Sequence, residues 1–225
     1  MMSEKVIQLR ERLAGLLPGR RLLLGRALEE QQAAGPFNAK GLLDFRQLPK
    51  GGIAELVAEN NSSGSALIIG SLLEQIADAG QVLTLVDGCD SFNPQGFTNA
   101  ALSRLLWIRC HDASQALKAA DIVLRDRNLS FALLDLQMNP LVQFRKIPSS
   151  AWYRLQRIVA ATHTSLLAVT PRPMVGSAQV RMNLQSRFGS DALQKTKAEL
   201  SSELNIEISR NRLHVESSED IAIAG

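Results

Sequence analysis

Apolar positions along this chain follow two rhythms. Residues 4–17 place Val6, Leu9, Leu13, Leu16 and Leu17 at helical spacing. Pro18-Gly19 stops that helix. A second helical stretch is predicted over about 21–32, and AAGPFNAKG (33–41) reads as a linker broken at Gly35-Pro36. From about Gly41 the rhythm changes. Short, wholly apolar runs alternate with helical patterns. GIAELV (52–57), VLTLVD (82–87), LLWIRC (105–110), FALLDL (131–136) and SLLAVT (165–170) read as strands. SALIIGSLLEQIADAG (65–80), SQALKAADIVLRDR (114–127) and SAWYRLQRIVAATH (150–163) read as helices. Gly80 supplies a helix stop. Strands apolar throughout and separated by helices predict a mostly parallel sheet buried on both faces, an α/β layered fold.

The C-terminal part differs. QVRMNLQSRF (179–188) alternates, SDALQKTKAELSSEL (190–204) reads as helix or loop, and NIEISRNRLHVESS (205–218) is predicted to be a β-hairpin turning at Arg210-Asn211. The organisation expected is a helical extension and linker over 1–40, a core domain over 41–218 and a flexible tail over 219–225.

Composition changes little in this picture. Of 225 residues, 45% are apolar and 21% charged, which suits a globular protein with a sizeable core. The two cysteines, Cys89 and Cys110, form no CxxC pair, so a reducing, cytoplasmic setting is expected. No apolar run approaches the ~18 residues of a membrane span, and the N-terminus has no signal-peptide pattern. No membrane association is expected. The net charge of +3 favours acidic partners only weakly. His111, His163 and His214 show no metal-binding spacing, so no metal site and no catalytic triad are expected.

The chemistry-bearing stretch is LPKGGIAELVAENNSSGSA (48–66), a strand, a small polar turn and a helix start. It resembles the opening of the RecA-type ATPase core. There, a strand of pattern L-P-x-G-x-I-x-E leads into a phosphate loop. Leu48, Pro49, Gly51, Ile53, Glu55 and Leu56 match the strand; Ser62, Ser63 and Gly64 match the loop. LVDGCDSFNP (85–94) is similar to the acidic segment closing the family's next strand. The 105–136 stretch looks like its strand, helix and Walker B strand, ending at Asp135. SLLAVTPRP (165–173) stands at the sensor strand. The resemblance covers roughly 41–216 and implies a RecA-like core. Within it, length and the altered loop most resemble ImuA-type accessory proteins of bacterial damage-induced mutagenesis, and more distantly the cell-division inhibitor SulA. It implies a DNA-repair setting, a translesion polymerase or RecA-type protein as partner, and possible homo-oligomerisation through the N-terminal helices.

The departures bear on the chemistry. A working loop reads G-x-x-x-x-G-K-[ST], with the lysine on the β- and γ-phosphates and the hydroxyl on Mg²⁺. By register this chain has Glu59 for the first glycine, Ser65 for the lysine and Ala66 for the Mg²⁺ ligand. Losing both contacts weakens Mg-ATP binding by roughly a hundredfold or more. The catalytic acid aligns with Cys89 and the sensor glutamine with Pro171. The expectation is therefore a protein that is not an enzyme, with no catalytic residues and no ATP or Mg²⁺ cofactor. A residual NTP or Mg²⁺ site from Asp87 and Asp135 is the first alternative, against acids simply solvated at strand ends. At the helix start, capping by Ser62 or Ser63 is expected, with a bound small anion as the alternative. The second functional alternative is a single-stranded DNA-binding module. It would use Arg145 and Lys146 after the Walker B strand and Arg172 and Arg181 after the sensor strand.

Overall fold

The structure, a computed structural model, describes residues 43–213. The predicted N-terminal helices, the linker and the tail lie outside the described residues. A seven-stranded sheet organises the chain in the order β3-β2-β4-β5-β1-β6-β7. The strands are β1 (Ile53–Val57), β2 (Leu83–Asp87), β3 (Leu105–Arg109), β4 (Phe131–Asp135), β5 (Ser165–Thr170), β6 (Val180–Leu184) and β7 (Ile206–Asn211). β1 to β6 pair in parallel, and only β7 runs antiparallel, against β6.

The sequence pattern explains this arrangement. β1, β2, β4 and β5 are buried at every position. Their continuous apolar runs need cover on both faces, which parallel connections through helices provide. Three helices carry most of that cover: α1 (Ser65–Asp78), α3 (Ala113–Val123) and α5 (Ser149–Thr162); the short α6 (Lys197–Ser202) has no buried residue and lies against α1. Short helices α2 (Asn99–Leu102) and α4 (Leu141–Phe144) were not legible from periodicity.

Each face has its own core. Ile68, Leu72 and Ile76 of α1 pack with Leu56, Leu85, Leu133 and Met182 on one side. Ala116, Ala120 and Val123 of α3 and Trp152 and Leu155 of α5 pack with Ile53, Val86 and Leu134 on the other. Connections that run one way along the sheet therefore lie on one face, and those that return lie on the other. α1 ends as Gly80 predicts: Gly80 takes a positive φ of 69°, its N–H reaches Ala77 O at 2.9 Å, and Gln81 N–H reaches Ile76 O at 2.9 Å.

One expectation fails. No hairpin turns at Arg210-Asn211; Ile206–Asn211 runs through both residues as one strand, with Leu184 opposite Ile206 and Val180 opposite Asn211. The predicted alternation over 179–188 marks β6, whose other edge joins β1 in parallel. The segment read as one half of a local hairpin finds its partner across α6 instead. A register shift between Arg181 and Met182 lets Met182 face Ile208 while Arg181 faces Arg210.

Candidate functional site

Of the residues that matched the ATPase pattern, Ser62, Ser63 and Gly64 follow β1, Asp87 ends β2 and Asp135 ends β4, so these lie along the carboxyl edge of the parallel strands, where open α/β sheets bind ligands; Leu48, Pro49 and Gly51 precede β1 at its other end. The loop leaves β1 at Ala58 and enters α1 at Ser65. Gly64 is the N-cap residue, held at φ 89° and ψ 18°, a left-handed conformation suited to glycine. A Cβ there would meet Phe188 at 2.6 Å and Leu204 at 2.8 Å. The segment after β6 therefore lies against the loop, and Phe188 N–H donates to Ser62 O at 2.9 Å.

The interior of the loop is filled by a side chain that the sequence did not flag. Gln137, two residues past β4, is only 6% exposed. Its Nε2 donates to Asn60 O at 2.8 Å, and its Oε1 accepts from the Ser65 hydroxyl. Gln137 thus ties the first and last turns of the loop together. Ser65 stands at the register position of the phosphate-binding lysine, and its polar group is spent on this latch. Glu59 and Ala66 are exposed. The expected capping does not occur: neither Ser62 nor Ser63 bonds the helix start, and the Ser63 hydroxyl is buried without a partner.

The two acids are brought together, but they are not equivalent. Asp87 and Asp135 are register partners on β2 and β4. Asp87 is fully buried and organises the turn after β2. One oxygen accepts from Cys89 N–H at 3.3 Å and from Ser91 N–H at 3.0 Å; the other accepts from Phe92 N–H at 2.9 Å and Trp107 Nε1 at 3.2 Å. The Ser91 hydroxyl adds a fifth contact at 3.3 Å. Five donors around one carboxylate leave little for a cation. Asp135 is 7% exposed. Burial pushes its carboxyl up to about 6, the Gln137 N–H pulls the other way, and the Asp87 charge adds to the rise. A carboxyl shifted upward holds a metal less readily, because the proton competes for it. One expectation for this pair needs correction: the acids are buried, not solvated at the strand ends. Among the described residues, no group of three or more His, Cys, Asp or Glu gathers to hold a metal ion.

Cys89 is half-buried and its backbone serves Asp87. Cys110 is buried, and burial raises its thiol to about 11, so it stays protonated at neutral pH. Asp90 pairs with Arg109 through two contacts of 2.6 Å, and that guanidinium stacks on Trp107 at 4.9 Å.

The four cations proposed for DNA separate. Arg145, Lys146 and Arg172 are exposed. Arg181 is not: its side chain is 14% exposed and its Nε meets Glu55 at 2.5 Å. Glu55 is 0% exposed at the centre of β1. It also accepts from Thr170 Oγ1 at 3.1 Å, Met174 N–H at 2.7 Å and Val175 N–H at 3.0 Å. Arg181 is therefore a structural cation that neutralises a buried carboxylate, which corrects its assignment to a DNA-facing loop. The signal was present in LPKGGIAE: a glutamate inside an apolar strand requires a buried partner.

Beside the loop, a cavity of about 300 Å³ opens between β1 and β6, lined by Val57, Glu59, Asn60, Leu184, Gln185 and Arg187 among others. No family model matches the chain, and no curated protein matches it. No described helix is long and apolar enough to cross a membrane.

Proposed function

We propose that this chain is a RecA-like module that has kept the frame of a nucleotide site and lost its chemistry, and that it works by binding proteins. The observation that carries this is the Gln137 latch: the Ser65 hydroxyl, at the lysine's place in the pattern, and the Asn60 carbonyl are both engaged by Gln137. The five-donor shell of Asp87 supports the same reading on the metal side. Combined with the sequence resemblance, the reading becomes an ImuA-type accessory factor in the DNA-damage response, partnered by a translesion polymerase. Isothermal titration with Mg-ATP tests the first half. No binding is expected below roughly millimolar concentration, and a micromolar dissociation constant overturns it. Co-expression with a Y-family polymerase homologue tests the second; a failure to co-elute on size exclusion removes that partner.

The exposed Arg145, Lys146 and Arg172 favour one second reading, a single-stranded DNA-binding module. A salt-dependent shift with an oligonucleotide, lost in Arg145→Ala with Lys146→Ala, supports it.

A further inference from the structure

The charge distribution along the chain is uneven. From Leu136 to Ser190 there are seven Lys or Arg and no Asp or Glu. Arg154 pairs with Asp121 at 2.8 Å and Arg181 with Glu55. Arg145, Lys146, Arg172 and Arg187 are exposed, and none makes an ion pair among the described residues. The topology gathers these four. They follow β4, β5 and β6, all parallel, so they lie along one rim of the sheet. The acids in the loops on that edge are the exposed Glu59 after β1, Asp90 after β2, which is held by Arg109, and Asp112 after β3, which caps α3.

The same rim displays apolar side chains. Met138, Leu141 and Val142 are 43%, 51% and 59% exposed. They stand on a platform that is fixed. Asn139, 3% exposed, donates to Gly88 O at 2.8 Å and to Gln143 Oε1 at 3.0 Å, and Gln143 Oε1 also accepts from Ala113 N–H at 2.9 Å. Phe144 is buried beneath. The network and Phe144 fix this segment, and the three large apolar side chains on it are left in solvent. Rigidly presented apolar side chains next to unpaired cations have the make-up of a docking centre with a polar rim.

We infer that Met138, Leu141 and Val142, with Arg145 and Lys146 beside them, dock an acidic segment of a partner protein that inserts apolar side chains among its carboxylates. The charge complementarity comes from the acid-free tract. Among possible occupants, the apolar anchors favour protein: none of the three is aromatic, so they offer no stacking platform for bases. A second copy brings the same cations against each other. This inference rests on the reading of the chain as a protein-binding module.

The test pans a displayed library of random 14-residue peptides against the full chain at 150 mM salt. Selected peptides are expected to carry three or more Asp or Glu around large apolar residues. Their affinity is expected to fall at least tenfold in Leu141→Asp with Val142→Asp, and at least tenfold in Arg145→Glu with Lys146→Glu. Lysine-for-acid versions of the peptides are expected to regain affinity for the charge-reversed variant. Circular dichroism melts verify that each variant folds. No selected peptide, peptides without acids, or equal affinity for the variants overturns the inference. So does tight binding of a 20-nucleotide oligonucleotide that the charge reversal abolishes, or self-association abolished by Leu141→Asp. The Mg-ATP titration separates the two levels: silence there with a failed selection rejects this docking surface alone, whereas micromolar ATP binding rejects the parent reading.

Discussion

The loop after β1 and the rim formed after β4, β5 and β6 lie on the same edge of the same sheet, yet they treat polar groups in opposite ways. In the loop, Ser65, Asn60 and Gln137 bond to each other, and Phe188 seals the outside. On the rim, Arg145, Lys146, Arg172 and Arg187 are left in water with no internal partner. Groups that satisfy one another contribute to the fold and offer nothing to a ligand. Groups left open contribute little to the fold and remain available. Sequence similarity alone draws attention to the loop; in the proposed reading the open groups of the rim are the working surface.

The comparison predicts that changes to inward-facing groups cost stability and changes to the rim do not. Arg181→Ala should be the most damaging, since it leaves Glu55 charged and without its cation in the sheet; a loss of about 3–5 kcal/mol is expected in urea unfolding. Glu55→Gln combined with Arg181→Met should cost clearly less than Arg181→Ala alone, because no unpaired charge remains. If the single change were silent, Arg181 would belong with the rim after all. Gly64→Ala should follow. It meets a positive φ, which costs about 1–2 kcal/mol, and it displaces Phe188 and Leu204 as well. Thermal melts should show a clear drop.

Gln137→Ala should cost about 1–3 kcal/mol by leaving the Ser65 hydroxyl and Asn60 O without their partner. A neutral result would break the latch argument. Asp135 gives a pH-dependent test. Its folded value of about 6 stands above the ordinary 3.8, so the native state binds the extra proton. Stability is therefore unaffected below pH 4, declines as pH rises from 4 to 6, and carries the full cost above 6. Asp135→Asn should remove that cost, a gain of about 1–3 kcal/mol at pH 7.5 that vanishes near pH 4. Smallest of all, Arg145→Ala with Lys146→Ala should change stability by less than about 0.5 kcal/mol; a larger loss would show that the rim is structural.

The strands were legible from the sequence because burial on both faces leaves an unbroken apolar run, as in FALLDL and SLLAVT. The stop at Gly80 was legible because few residues other than glycine accept that φ. The β6–β7 pairing was not, since its partners are separated by α6 and the alternation in 179–188 carries no address. The fate of Arg181 was hidden for a related reason. Its partner Glu55 lies far back in the chain, and only the parallel register of β1 with β6 makes them neighbours. Gln137 gave no sign at all: a glutamine two residues past a strand is ordinary until the fold aims it into a loop.

The strand order has a consequence for how the molecule comes into being. β1 pairs only with β5 and β6, whose residues follow it by more than a hundred positions. During synthesis from the N-terminus, β2, β3 and β4 can join as a three-stranded unit while β1 waits without a neighbour on either side. Its apolar face and the carboxylate of Glu55 stay unsatisfied until Ser165–Thr170 and Val180–Leu184 have emerged. Closing such a distant pairing is slow, and the half-made chain exposes a bare strand in the meantime. The loop that looks most like the heart of the protein thus hangs from a strand that must wait for β5 and β6, and a chain cut short before residue 165 would leave it without either neighbour.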